Sequence, residues 1–175
     1  MNKKKITVLL TSVVVLVAAY AWYQSTKLYG NDKESIVKVI NSVEGYVDKD
    51  IRIVQIDDFD DVRIVGFLAN HKPSYIEFAQ NDKGNYVWKH IESHHDGTIG
   101  MFLPGTLGKI MFVTNDENDI AKMTVDINGE TLEQTFPPYE QNVAWMDFPK
   151  SKDGGYEYRN YKYYDKTGSL IEENE

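Results

Sequence analysis

Ile6 to Tyr23 (ITVLLTSVVVLVAAYAWY) form an eighteen-residue stretch without a charge, a pattern found nowhere else in the chain. At about 1.5 Å per residue, such a run just spans a hydrocarbon core of about 30 Å. Three lysines in MNKKK precede it, and Trp22 and Tyr23 close it, where interfacial aromatics belong. The pattern predicts a basic cytoplasmic start at 1–5 and a transmembrane signal-anchor at 6–23, with everything after Tyr23 outside the cell. A second reading stays open. A basic start, an apolar core and the triplet Ala19-Tyr20-Ala21 also describe a signal peptide cleaved after Ala21. Both readings export the rest of the chain.

After a short polar spacer at 24–30, the period becomes helical. In NDKESIVKVINSVEG, Ile36, Val37, Ile40 and Val43 fall on one face. Asn31 is the expected N-cap, with Glu34 as its capping-box partner, and Gly45 is the expected stop. A helix apolar on one side must lie on something.

The remaining pattern supplies it. β-Branched and aromatic runs alternate with turn-forming residues at short spacing. IRIVQI and VRIVGFLA flank DDFDD, SYIEFAQ and NYVWKHIE flank NDKG, and KIMFVT and IAKMTVDI flank NDEND. VDI and ETLEQTF flank Asn128-Gly129, a dipeptide favoured in two-residue hairpins. NVAWMDF and YEYRNYKYYD flank PKSKDGG, and a last turn, DKTG, precedes SLIEE. The expected fold is α+β, mainly β. The short amphipathic helix packs on a bent antiparallel sheet, or on a two-layer sandwich, of about ten strands. All of this forms one extracytoplasmic domain at 31–175, because halves of about 70 residues would be marginal alone.

Composition narrows the function. Of 175 residues, 42% are apolar and 13% aromatic, which is a folding composition. The absence of cysteine excludes disulfides, thiol nucleophiles, cysteine-ligated zinc and lipid attachment through cysteine. The chain has 19 basic and 27 acidic residues; the part after the apolar run keeps 16 of the basic ones, so its net charge is −11. Such a domain repels nucleic acid and anionic envelope polymers. In composition the chain resembles small bacterial envelope proteins.

Candidate chemistry concentrates in WKHIESHHDG, which holds three of the four histidines. Strand alternation puts Tyr86, Trp88, His90, Glu92 and His94 on one face. Two imidazoles and a carboxylate are metal-ligand types. His90 and His94, however, lie about 13 Å apart along an extended strand, too far for bonds of about 2.1 Å to one ion. A turn at Asp96-Gly97 would bring His95 or Asp96 around instead. A metal site of His90, Glu92, His94 and His95 is therefore the weaker reading, and a polar strand end at the solvent edge the stronger.

DDFDD and NDEND have the oxygen donors of calcium loops. Both are more simply turns, since Asp and Asn bond locally to the backbone. In YEYRNYKYYD, alternation puts Tyr156, Tyr158 and Tyr164 on one face and Tyr161 and Tyr163 on the other. Trp88, Tyr86, Tyr156 and Tyr158 are the candidate ligand-binding residues, because flat amphipathic rings stack on sugars and peptides. The expected function is a non-enzymatic, membrane-anchored domain without a cofactor that binds an envelope protein or ligand. The alternative is a metal-dependent enzyme built on the histidine cluster.

Overall fold

The computed structural model describes residues 12–18, 27–105, 107–149, 151 and 155–171. Residues 12–18 are helical (α1) and α2 is Lys33–Ser42. The strands are β1 (Ile51–Phe59), β2 (Val62–Ala69), β3 (Lys72–Gln80), β4 (Tyr86–Ser93), β5 (Ile99–Phe102) and β6 (Lys109–Thr114). They continue as β7 (Lys122–Ile127), β8 (Glu130–Thr135), β9 (Asn142–Asp147), β10 (Tyr158–Tyr164) and β11 (Leu170–Ile171). They form a first sheet in the order β1-β2-β3-β4, a middle sheet β5-β6-β9 and a third sheet β11-β10-β7-β8. Every pairing is antiparallel.

Two strands decide how these sheets stack. In β2, Val65, Phe67 and Ala69 join the core under α2, while Ile64 and Leu68 join the core shared with the middle sheet. In β6, Met111 and Val113 face the first sheet, and Ile110 and Phe112 face the third. A strand covered on both faces needs apolar residues at successive positions, so VRIVGFLA and KIMFVT are continuous runs. β7 alternates strictly because only one of its faces is covered. The result is four layers in the order helix, first sheet, middle sheet, third sheet. The mainly β character matches expectation, but the bent sheet or two-layer sandwich does not. Three sheets are stacked, because the middle one has no solvent face.

The stacking also reassigns two links. NDEND and PKSKDGG were expected to close hairpins. β6 instead pairs with β5 and β9, so NDEND carries the chain from the middle sheet to the third. The crossing is held by two buried asparagines. Asn115 Nδ2 donates to the His71 carbonyl (3.0 Å), and Asn118 Nδ2 donates to the Ile120 carbonyl (2.9 Å). The Tyr139 N–H donates to the Asn118 carbonyl at 2.6 Å. The hairpins at DDFDD, NDKG, Asn128-Gly129 and DKTG form as expected.

Helix α2 is capped one residue later than expected. Asp32 Oδ1 accepts from the Ser35 N–H (2.8 Å), and the Asp32 N–H donates to Ser35 Oγ (2.9 Å), a reciprocal cap. Asn31 is occupied elsewhere: its Oδ1 accepts from the Tyr86 N–H at 2.9 Å. The buried face is Ile36, Val39 and Ile40, so Val37 lies at its margin.

Arg63 fastens the entry to α2 onto the first sheet. Its Nε and Nη2 donate to the two Asp58 oxygens (2.6 and 2.8 Å), and Nη1 donates to the carbonyls of Gly30 and Asn31 (both 2.9 Å). Its guanidinium lies 3.9 Å from the centre of the Tyr86 ring. Gly30 is required there, since a Cβ would collide with the Phe78 ring.

The expected membrane span at 6–23 lies mostly outside the described residues. Among these, no helix is long and apolar enough to cross a membrane.

The close approach of the first two sheets gives one test. A Cβ on Gly66 would lie 2.5 Å from Val143 Cγ2 and 2.8 Å from Met111 Cε. Gly66→Ala should therefore lower unfolding free energy by about 1–3 kcal/mol in urea titration, as overpacking does. An unchanged midpoint would show that the layers yield freely. A second test concerns Asp58. Hydrogen bonding from Arg63 holds its carboxyl below the usual carboxylate range. A lowered folded pKa adds stability above the unfolded value of about 3.9, and that stability disappears as pH falls through the folded pKa. The stability difference between wild type and Asp58→Asn should be full at neutral pH and shrink below about pH 4. A difference that stays constant to the acid limit would contradict this linkage.

Candidate ligand-binding cleft

Bulges in β4 and β10 redirect the side chains that alternation would have grouped. In β4, Trp88 is opposite Phe78 but His90 is opposite Glu77, so Lys89 is an extra residue. Directly opposed residues share a face. Tyr86 and Trp88 therefore turn toward the α2 side, while His90 and Glu92 turn the other way. The His90 ring sits 5.6 Å from that of buried Tyr75. Burial, with smaller contributions from Glu92 and Glu77, pushes the Tyr75 hydroxyl far up, so it stays neutral.

The four residues of the weaker, metal-site reading are thus dispersed. His90 Nε2 lies 3.5 Å from Glu92 Oε2, with both side chains more than half exposed. His94 follows the end of β4, and its N–H donates to the Pro73 carbonyl. The adjacent His95 is exposed, and its carbonyl accepts from Lys72 Nζ at 2.6 Å. Among the described residues, no group of three or more histidine and acidic side chains is placed to hold a metal ion. The DDFDD carboxylates also diverge. Asp57 accepts from Trp145 Nε1 (2.8 Å) on the middle-sheet side, whereas Asp58 serves Arg63 on the helix side.

The candidate stacking residues fall into separate places. Tyr86 is covered by Arg63. Trp88 is 41% exposed on the outer side of the first sheet. Tyr156 and Tyr158 surround Phe148, at ring-centroid distances of 4.4 and 6.4 Å, beside a hollow of about 290 Å³ that also touches Leu103 and Lys109. The first and third sheets are separated by the middle one, so these rings form no common surface.

The β10 bulge creates something that alternation hides. Arg159 is opposite Asp126 and Lys162 is opposite Thr124, which leaves one extra residue in β10. Asn160 takes it up in the left-handed region (φ 55°), and its Nδ2 donates to Asp126 Oδ2 at 2.6 Å. That bond is the largest cause holding the Asp126 carboxyl below its ordinary range. Tyr158 and Tyr163 consequently both face the middle sheet, opposite Ile127 and Met123.

Between the middle and third sheets this leaves a cleft of about 600 Å³, within the range of sites that hold small ligands or inserted side chains. Its floor is Phe112 and Met123 from the core. Ile99 and Met101 of β5 form one wall, and Tyr161, Tyr163 and Ile171 form the other. His94, Asp96 and Asp119 stand at its polar rim. Burial pushes the Tyr161 hydroxyl up, so it remains a neutral hydrogen-bonding group over an apolar floor.

Of the residues singled out in the sequence, His94 and Asp96, Asp119 of NDEND, and Tyr161 and Tyr163 reach this cleft, whereas the stacking candidates Tyr86, Trp88, Tyr156 and Tyr158 do not line it. One signal for the rest existed. An asparagine inside a tyrosine-rich strand is out of place by β-propensity and tolerates the left-handed region, so Asn160 marks the bulge. Nothing in Trp88-Lys89-His90 marks the other. Comparison of the chain with protein-family models, curated proteins and solved structures gives no match.

The dispersed histidines can be tested directly. Replacing His90 and His94 by Gln should change stability by about 0.5 kcal/mol or less each, as for exposed positions. Mass spectrometry of the purified chain should find no stoichiometric zinc. Zinc at one equivalent that disappears in the double variant, with a clear fall in melting temperature, would refute the dispersed arrangement.

Proposed function

We propose that this chain is a single-pass, membrane-anchored, extracytoplasmic binding protein, not an enzyme, and that the cleft between its middle and third sheets receives an envelope protein or ligand. The cleft carries the proposal: an apolar floor continuous with the core, a tyrosine wall and a rim of acidic and histidine side chains form a surface suited to desolvating a partner. The apolar run at 6–23 and its preceding lysines support the anchor and its orientation. The layer order supports the same reading. The chain enters at the helix side of the first sheet, where Arg63 binds Gly30 and Asn31. The cleft lies beyond the middle sheet, away from that entry.

The test is made in intact cells stripped of their wall. Added protease should digest the chain after Tyr23 and spare the lysine-rich start. A photocrosslinking residue at position 161 should give a discrete adduct with an envelope component. The same probe at Val47, exposed beside the helix layer, should not. A protected domain would refute the orientation, and no adduct from 161, or the same adducts from both positions, would refute the cleft as the binding surface.

A further inference from the structure

The wall of the cleft made by β5 is also the open edge of the middle sheet. We propose that β5 is a strand-addition site: an extended segment of a partner protein, carrying apolar residues alternating with lysine or arginine, pairs with it and inserts its apolar side chains into the cleft. This rests on the binding reading above and specifies its ligand.

The backbone is set for it. The Asn115 N–H donates to the Thr98 carbonyl at 2.9 Å, which marks 98/115 as a hydrogen-bonded pair. Antiparallel ladders alternate, so Gly100/Val113 and Phe102/Met111 are the next such pairs. The N–H and C=O groups of Ile99 and Met101 therefore point out of the sheet, toward solvent.

The side chains agree. Phe102 packs toward the first sheet, and a Cβ on Gly100 would face Phe102 and Pro73. Ile99 and Met101 turn the opposite way, into the cleft. Residues directly opposite each other across a strand pair share a face. An added strand would thus place every second side chain over Phe112 and Met123, against Tyr161.

Most other edges are guarded. β1 has a bulge at Val54 and carries Arg52, Asp57 and Asp58, β4 has its bulge at Lys89, β8 carries Glu130 and Glu133, and β11 is two residues long. β9, the other edge of the middle sheet, ends on Asp147 and has Trp145 tied to Asp57 of β1. β5 reads Ile-Gly-Met-Phe, with no charge, proline or bulge. Charge selects the partner. Asp96 and Asp119 stand at the rim, and the described lining residues include no lysine or arginine. The part after the apolar run carries −11. That balance attracts a basic segment and disfavours a second copy of this domain.

The test uses the full chain in nanodiscs of zwitterionic lipid, with empty discs subtracted. The probe is a fluorescein-labelled peptide of alternating lysine and isoleucine. Its partners are the same peptide N-methylated at every second residue and a glutamate–isoleucine counterpart. The unmodified lysine peptide should bind saturably by anisotropy, and the other two about tenfold or more weakly. Met101→Pro removes an outward N–H, which an edge position tolerates. It should weaken binding by about tenfold or more without lowering the melting temperature. Should it lower that temperature, hydrogen exchange on wild type decides: the Ile99 and Met101 amides must gain protection when peptide is added. Absence of that protection, equal binding of methylated and unmodified peptides, equal binding of the glutamate peptide, or a dimer that Met101→Pro abolishes would each overturn the proposal. A crosslink from position 161 in cells alongside a failed peptide test would leave the binding reading standing and remove only strand addition.

Discussion

A sheet covered on both faces has no side to give to water, and the middle sheet is in that position. Stacked sheets sit about 10 Å apart, with side chains from both filling the gap. The centre strand β6 must therefore be apolar at every step, and Ile110, Met111, Phe112 and Val113 are all fully buried. That requirement propagates outward. The first sheet gives Ile64 and Leu68 to one side of the middle sheet and must cover its own other face with α2. The third sheet gives Met123, Val125 and Ile127 to the other side and can leave its outer face polar.

The fully buried polar side chains of this stack have their bonds met, whereas Asn41 Oδ1 of α2 is a buried acceptor without a partner among the described residues. Ser74, Thr114, Asn115 and Asn118 are the buried polar side chains among the described residues. Thr114 Oγ1 donates to the Glu140 carbonyl at 3.0 Å, and the two asparagines brace the passage from the middle to the third sheet. Thr114 and the two asparagines sit where backbone leaves a ladder, where an unmet bond would cost about 1–3 kcal/mol per group; Ser74 lies within its ladder and shares its hydroxyl with Ser93 Oγ (2.7 Å). Arg63 does comparable work at the opposite end of the layers, joining the chain before α2 to β2.

Much of the fold was legible in the pattern. The amphipathic helix, the strand runs and four of the hairpins follow from period and turn chemistry. Layer count was not, because a continuous apolar run such as KIMFVT shows that a strand is buried but not what covers it. Pairing across NDEND and PKSKDGG was misread for a related reason. A short polar link looks the same whether it closes a hairpin or changes sheet. The cleft was least legible. It depends on strands from two sheets, and although alternation puts Tyr161 and Tyr163 on one face, it does not say which sheet that face meets. The histidine stretch attracted attention through composition, yet the bulge at Lys89 turns His90 and Trp88 to opposite faces.

The β10 bulge has a consequence for how such a surface changes over generations. Its inner face is set by a count of residues, not only by their identity. Tyr158 and Tyr163 are five residues apart, so strict alternation would put them on opposite faces, and the extra residue at Asn160 is what brings both inward. Losing Asn160 would shorten the spacing to four and keep both rings inside a regular strand. Straightening the strand with its length unchanged would instead turn one ring out. A β-branched residue at 160 resists the left-handed conformation that asparagine tolerates. Among relatives of this chain, such a residue in a strand of unchanged length would therefore mark a re-sorted inner face more sharply than the exchange of any one tyrosine.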